Sequence, residues 1–156
     1  MDNTIFYVIG DTAATRLAVA EAIAAQTGAR VVDAQAIYAP IFNVIDHSDP
    51  AAMPDAVWAQ IDAVRDAVLA TIETMSPKPW NFVFTQAGLA IPADVGVYRA
   101  VRGMAERRGA SFQPAKLIGG GSKRALLTFD EPAVNVNVAD KIPAEMAKAV
   151  VAAAGT

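Results

Sequence analysis

The chain has no cysteine. Disulfides, thiolate nucleophiles and thiolate metal sites are therefore excluded. Histidine occurs once, as His47, so a multi-histidine metal centre is excluded and no metal site is expected. No G-x-S-x-G elbow accompanies that histidine, which leaves a Ser-His-Asp triad without support. Charge is sparse, at 19% of residues with a net charge of −3, so no basic surface points to nucleic acid and no run of like charge marks a tail. No apolar stretch is long enough to span a bilayer. The opening MDNTIFYVIG lacks the basic region and long apolar run of a signal peptide. The expectation is a cytoplasmic protein without a membrane or nucleic-acid partner.

What is present is apolar residue in quantity, 54% of the chain, with much of it alanine. The 156 residues suffice for one domain around one core, spanning residues 1–156. Residues 4–9 are β-branched, aromatic and nearly all apolar, as in a strand buried on both faces of a parallel sheet. Residues 14–27 read as a helix with Leu17, Ala20, Ile23 and Ala24 inward, stopped by Gly28. A second strand, residues 30–33, ends in Asp33; a short helix over residues 34–38 is interrupted by Pro40. Residues 43–54, with Asp46, His47 and Asp49, read as a surface loop.

The clearest helix runs over residues 54–75, with Val57, Ile61, Val64, Val68, Ile72 and Met75 on one apolar face and Trp58, Asp62 and Arg65 beside it. A third strand covers residues 80–86. A helix follows over residues 95–108, with Val97, Ala100, Val101, Met104 and Ala105 inward and Gly109 closing it. The fourth strand, residues 112–118, contains Pro114, which calls for a position with a free N–H. Residues 119–123 read as a flexible connector, and residues 124–129 as a short strand or a helical turn. A fifth strand over residues 135–139 and a closing helix over residues 143–154 complete the chain. Strand and helix alternate throughout, so right-handed crossovers and a parallel sheet are expected.

The first strand, turn and helix invite comparison with G-x-x-x-x-G-K-[ST], whose backbone amides cradle phosphate while its lysine and hydroxyl serve the phosphates and Mg²⁺. The eight residues are Gly10-Asp11-Thr12-Ala13-Ala14-Thr15-Arg16-Leu17, a turn of suitable length but unsuitable chemistry. Gly10 fits. Thr15 stands at the second glycine and Arg16 at the lysine, a planar fork in place of a compact ammonium. Leu17 stands at the hydroxyl, and Ala18, one position on, also lacks an oxygen. Asp11 adds negative charge. The alternative is an ordinary strand-to-helix turn with Thr12 or Asp11 as N-cap.

The order of blocks resembles the small phosphate-loop kinases of the nucleoside-monophosphate kinase superfamily, particularly the shikimate-kinase-like and chloramphenicol-phosphotransferase-like branch, often labelled AAA-type ATPases. The blocks are IFYVIG, TGARVVDAQ, PDAVWAQIDAVRDAVLATI, WNFVFTQAGL, VYRAVRGMAERRGASFQPAKL and NVNVADKIPAEMAKAVV, which together cover nearly the whole chain. The resemblance implies a three-layer α/β/α fold with five parallel strands in the order 2-3-1-4-5. It also implies an arginine-bearing lid after the fourth strand, for which only residues 119–134 are available, with Arg124 the lone arginine.

Departures at the loop, the metal ligand and the lid all touch the same γ-phosphate. The reading is a degenerate kinase-like protein without efficient phosphoryl transfer, acting as a ligand-binding or interaction module and needing no cofactor. Its ligand would be a small molecule or anion, and a homodimer over the opened crevice is conceivable on these grounds. One alternative is an active ATP·Mg²⁺-dependent phosphotransferase acting on a small hydroxyl acceptor, using Arg16 and Arg124. Another is different, cofactor-free chemistry in the same crevice. The candidate residues are Asp33 and Arg124 as catalytic groups, and Gly10, Thr12, Thr15 and Arg16 around a phosphate. Gln35, Arg65, Thr85 and Gln86 would line a ligand crevice, the last two at the strand end where open α/β sheets bind ligands. Asp33 reads equally as acceptor-side base or N-cap, Arg16 as anion holder or solvated first-turn residue, and Arg65 as pocket arginine or partner of Asp62. Trp58 and Trp80 read as core or rim packing.

Overall fold

A computed structural model of the protein describes residues 1–45 and 52–155. The loop residues Asp46, His47 and Asp49 lie outside the described residues.

Five parallel strands form one sheet in the order β2-β3-β1-β4-β5. They are β1 (Thr4–Gly10), β2 (Arg30–Val32), β3 (Phe82–Gln86), β4 (Ser111–Ile118) and β5 (Val134–Asn137). Every residue of β1 is buried, because it is central and covered on both faces. Alternation then divides its side chains between two cores. Ile5, Tyr7 and Ile9 face one, with Leu69, Ile72, Tyr98, Val101 and Met104. Phe6 and Val8 face the other, with Val19, Ile23, Met146 and Val150.

The helices supply those two layers. They are α1 (Ala13–Thr27), α2 (Ala34–Phe42), α3 (Asp55–Thr74), α4 (Pro92–Arg108) and α5 (Pro143–Ala154). Helices α1 and α5 cover one face, and α3 and α4 the other, with α2 against α3. Pro114 falls one residue before β5 begins alongside Ala115, so it has no neighbour on that edge to deprive of a donor.

Several boundaries differ from the sequence reading. Pro40 does not end α2. It sits inside the helix, which runs on to Phe42, and the amide of Asn43 closes the last turn on Ala39 at 2.9 Å. Only one carbonyl, that of Ala36, loses its donor, and Pro40 is exposed. Met75 is not on the buried face of α3. It lies just past the helix at 78% exposure, while Leu69 takes the core position. Helix α4 starts three residues earlier than the apolar periodicity suggested, with Pro92 at its first turn, and this makes Asp94 a helix residue.

Residues 124–129 form neither a strand nor a helical turn, and they are held down. Leu126 forms a single antiparallel bridge with Leu89; Leu127 donates to Gly88 and Ala90 donates to Ala125. Leu127 and Phe129 are buried. Gly120 lies so close to Asp11 that a Cβ there would stand 1.7 Å from its carboxylate oxygen. Beyond it, Glu131 accepts from the Tyr98 hydroxyl at 2.7 Å and pairs with Arg102 at 3.0 Å. The segment between β4 and β5 is thus a strap fastened across the carboxyl end of the sheet. No helix among the described residues is long and apolar enough to cross a membrane.

Candidate functional site

The first turn is built tightly. Gly10 has φ +93°, and a Cβ there would lie 2.4 Å from the Leu117 carbonyl oxygen, so only glycine fits. The turn that follows is shorter than the sequence comparison suggested. Asp11 and Thr12 alone separate β1 from α1, whereas a phosphate loop places its motif residues between strand and helix. The cause is local capping. Thr12 is extended, and its hydroxyl accepts from the Thr15 amide at 3.2 Å while its carbonyl accepts from the Arg16 amide at 3.0 Å. Two amides at the motif's distal end are therefore engaged within the helix.

Arg16 turns back on the chain. Its Nη1 donates to the carbonyl oxygens of Gly10 at 3.0 Å and Asp11 at 2.9 Å. Burial pushes this guanidinium below its usual range, against a pull from the carboxylates of Asp33, Asp11 and Asp94. Leu126 closes over the same turn, 3.2 Å from where a Gly10 Cβ would be. Leu17 and Ala18 offer no oxygen to a metal, and no group of three or more acidic or histidine side chains comes together among the described residues. These residues do not match the set that a triphosphate and Mg²⁺ require. Arg124, the lone arginine of the strap, is exposed.

Asp33 occupies the N-cap position of α2 but makes no side-chain cap bond. Its carboxylate accepts instead from the Thr85 hydroxyl, which in turn accepts from the Ala34 amide at 3.2 Å. The helix start is thus capped through Thr85, a partner distant in sequence.

The larger cavity lies beside this pair, between α2, α3 and the start of α4, with a volume of about 680 Å³. That is ample for a drug-sized molecule. Tyr38, Phe42 and Trp58 line it, with Ile61, Ile91 and Val97. The aromatic rings touch in sequence: Tyr38 and Phe42 have centroids 5.7 Å apart, and Phe42 and Trp58 meet edge-on at 6.1 Å. Its polar lining is Gln86, Asp94, Asp62 and Arg65. Gln86 donates to the Tyr38 hydroxyl at 3.1 Å and more weakly to Asp94 at 3.5 Å. Asp94 Oδ2 accepts from the Leu89 amide at 2.8 Å. Arg65 is held by Asp62 at 3.3 Å and Asp66 at 3.1 Å, so it is both a wall residue and an ion-pair partner. A smaller hollow of about 330 Å³ beside the first turn carries Asp11, Thr15 and Lys141.

Of the crevice residues expected from sequence, Arg65 and Gln86 line the cavity, and Thr85 sits under Asp33. Gln35 does not join them; it is exposed on the outer side of α2. Trp58 is a cavity wall, whereas Trp80 is distant from it and stacks under Arg30, 3.6 Å from guanidinium carbon to ring centre. Sequence reasoning missed Asp94 and Tyr38. The Pro-x-Asp signature of a helix start, Pro92-Ala93-Asp94, carried the signal for the first. Tyr38 carried none, because Pro40 truncated its helix on paper.

No protein-family model and no curated protein sequence matches the chain. Solved structures do. One is a gluconokinase from Sinorhizobium meliloti 1021, at 15% identity and a TM-score of 0.61, covering 98% of this chain and 92% of that one. Another is the Mycobacterium tuberculosis APS kinase CysC in complex with AMPPNP and APS, at 11% identity and a TM-score of 0.62, covering 99% of both chains. With its sheet order and two helical layers, the chain therefore has the fold of the phosphate-loop small-molecule kinases.

Proposed function

We propose that the chain is a ligand-binding module on a phosphate-loop kinase fold that no longer transfers phosphoryl groups efficiently, and that its ligand occupies the cavity between α2, α3 and α4. The observation that carries this reading is the engagement of Arg16 with the carbonyls of Gly10 and Asp11. With Nη1 bonded to the loop's own carbonyls, two of the five guanidinium donors are turned away from a phosphate held by that loop. Thr12 capping the helix from within, Leu126 over the turn, and no oxygen at positions 17 and 18 support the same conclusion. The cavity supports the binding half: it is pre-formed, largely apolar and floored by a few convergent polar groups.

The test is a thermal melt with and without Mg·ATP. A nucleotide site with Kd near 10 µM would add about 2.7 kcal/mol at a hundredfold excess, and for a chain of this length that is a rise of roughly 5–10 °C. The expected result is no shift at 1 mM (about 100 times that Kd), together with no phosphate release across a panel of hydroxyl acceptors. A clear rise, or acceptor-dependent turnover that collapses in Arg16→Ala, would make the protein an active phosphotransferase instead.

A further inference from the structure

Asp94 is the least ordinary group in the cavity. It is 9% exposed, and among the described residues no cation pairs with it. One oxygen is satisfied by the Leu89 amide; the other has only the 3.5 Å approach of Gln86. A buried carboxylate is costly unless paired, and this one lines an otherwise apolar space. The single basic residue on the wall, Arg65, is already shared between Asp62 and Asp66. Gln86 adds a second acceptor, since its amide nitrogen is engaged and its carbonyl oxygen has no partner among the described residues. The rings of Tyr38, Phe42 and Trp58 line the same cavity as these acceptors, and aromatic π faces attract cations.

We infer that the cavity takes a small organic cation: an amine with an apolar, ring-bearing body, its ammonium bonded to Asp94 and Gln86 and its body packed among the aromatic walls. The inference rests on the reading that this cavity is the ligand site, and it adds the chemistry of the ligand. The charges agree in sign. Of the lining side chains, Asp94 and Asp62 against Arg65 leave one net negative charge, with Arg16 outside the lining as the further cation near Asp94, and this balance favours a cation over an anion. The small number of polar groups in the lining disfavours a polyol, whose hydroxyls would find too few partners.

A matched series decides it: 2-phenylethylamine, 2-phenylethanol and 3-phenylpropanoate, titrated against the full chain by ligand-observed NMR. They share a ring and a short arm and differ in the charge at the tip. The amine is expected to bind roughly tenfold more tightly than the alcohol, the size of one charge-assisted hydrogen bond, with the propanoate weakest. In Asp94→Asn the amine should fall to within about threefold of the alcohol, because an amide still accepts from Leu89 but carries no charge. Equal or tighter binding of the alcohol or the propanoate overturns the inference, as does no binding of any of the three up to about 10 mM. If Asp94→Asn does not fold, the ranking on the unmodified chain decides alone. The two readings fail separately. A chain that responds to Mg·ATP but ranks the amine first refutes only the loss of phosphoryl transfer. One inert to nucleotide that ranks the propanoate first refutes only the cation.

Discussion

Arg16 donates to the carbonyl oxygen of Gly10 at 3.0 Å, so the residue at the motif's lysine position is bonded to the residue at its first glycine. Restoring the lysine and the hydroxyl, with Thr15 left at the second glycine, is expected not to restore the site. Arg16→Lys with Leu17→Ser supplies an ammonium and a hydroxyl. It leaves α1 starting at Ala13, Thr12 capping it, and Leu126 over the turn. The double variant is expected to show no Mg·ATP-dependent melting shift. A rise of several degrees would mean that side-chain identity alone had been the obstacle.

Gly10 and Gly28 both have positive φ, +93° and +73°, but their surroundings differ. A Cβ at Gly28 meets nothing within 4 Å, whereas at Gly10 it meets the Leu117 carbonyl at 2.4 Å. Gly28→Ala should cost about 1–2 kcal/mol, the left-handed penalty alone. Gly10→Ala adds overpacking against backbone and should cost about 3 kcal/mol or more. Urea unfolding of the two variants measures the difference, and equal costs would refute the steric account.

The strands and helices were legible from the chain because each rests on local signals: β-branched runs, alanine-rich periodicity, Gly28 and Gly109 as stops. The sheet order came from the resemblance of the blocks, and the fastening of the segment between β4 and β5 was not foreseen. The site was legible in part. Gln86 and Arg65 could be placed from the end of β3 and the face of α3. Asp94 was missed because the apolar periodicity starts the helix at residue 95, although Pro92-Ala93-Asp94 marks a helix start, and its bond to the Leu89 amide follows only from the fold. The role of Thr85 in capping α2 was equally hidden, since donor and acceptor are 51 residues apart. The reversal of Arg16 was invisible as well. Sequence gives the identity of a side chain at a motif position, not the direction in which it turns.

Arg108 is 1% exposed and has no carboxylate partner among the described residues. It donates instead to the carbonyls of Ile72, Ser76, Pro77 and Lys78 and to Asn3 Oδ1 at 3.0 Å, gathering the end of α3, the following turn and the entry to β1. Its aromatic neighbour is Phe82, 5.5 Å from guanidinium carbon to ring centre. Arg108→Met keeps the volume and strips one buried and four part-buried acceptors of their donor, at about 1–3 kcal/mol each where water cannot enter. A loss of at least about 3 kcal/mol in urea unfolding is expected. Arg108→Lys should recover little, because an ammonium cannot fork between opposed carbonyls. Near-full recovery by lysine would show that charge rather than shape matters there.

The strap is fastened through Tyr98, whose hydroxyl donates to Glu131 at 2.7 Å and accepts from the Asp130 amide at 3.0 Å. Burial, reinforced by the Glu131 carboxylate and opposed by the Asp130 amide, pushes its pKa up to about 12 from the ordinary 10.0. The folded chain therefore keeps this proton where the unfolded chain has lost it. With fewer protons bound in the unfolded state, stability falls as pH rises, and the window is pH 10 to 12. Below that window the contribution is fully present. Across it about 2 kcal/mol should be lost from this group. Tyr7, buried beside it with its hydroxyl unpartnered, is shifted in the same direction and steepens the fall. Tyr98→Phe removes one of the two titrations, so its stability should decline less steeply between pH 10 and 12 than that of the unmodified chain. The same variant leaves Glu131 held by Arg102 alone among the described residues and frees the Asp130 amide, so amide exchange should quicken at residues 126–131 and stay unchanged in β1. Parallel pH profiles for the two proteins, with exchange unaltered in the strap, would show that this hydroxyl holds nothing down.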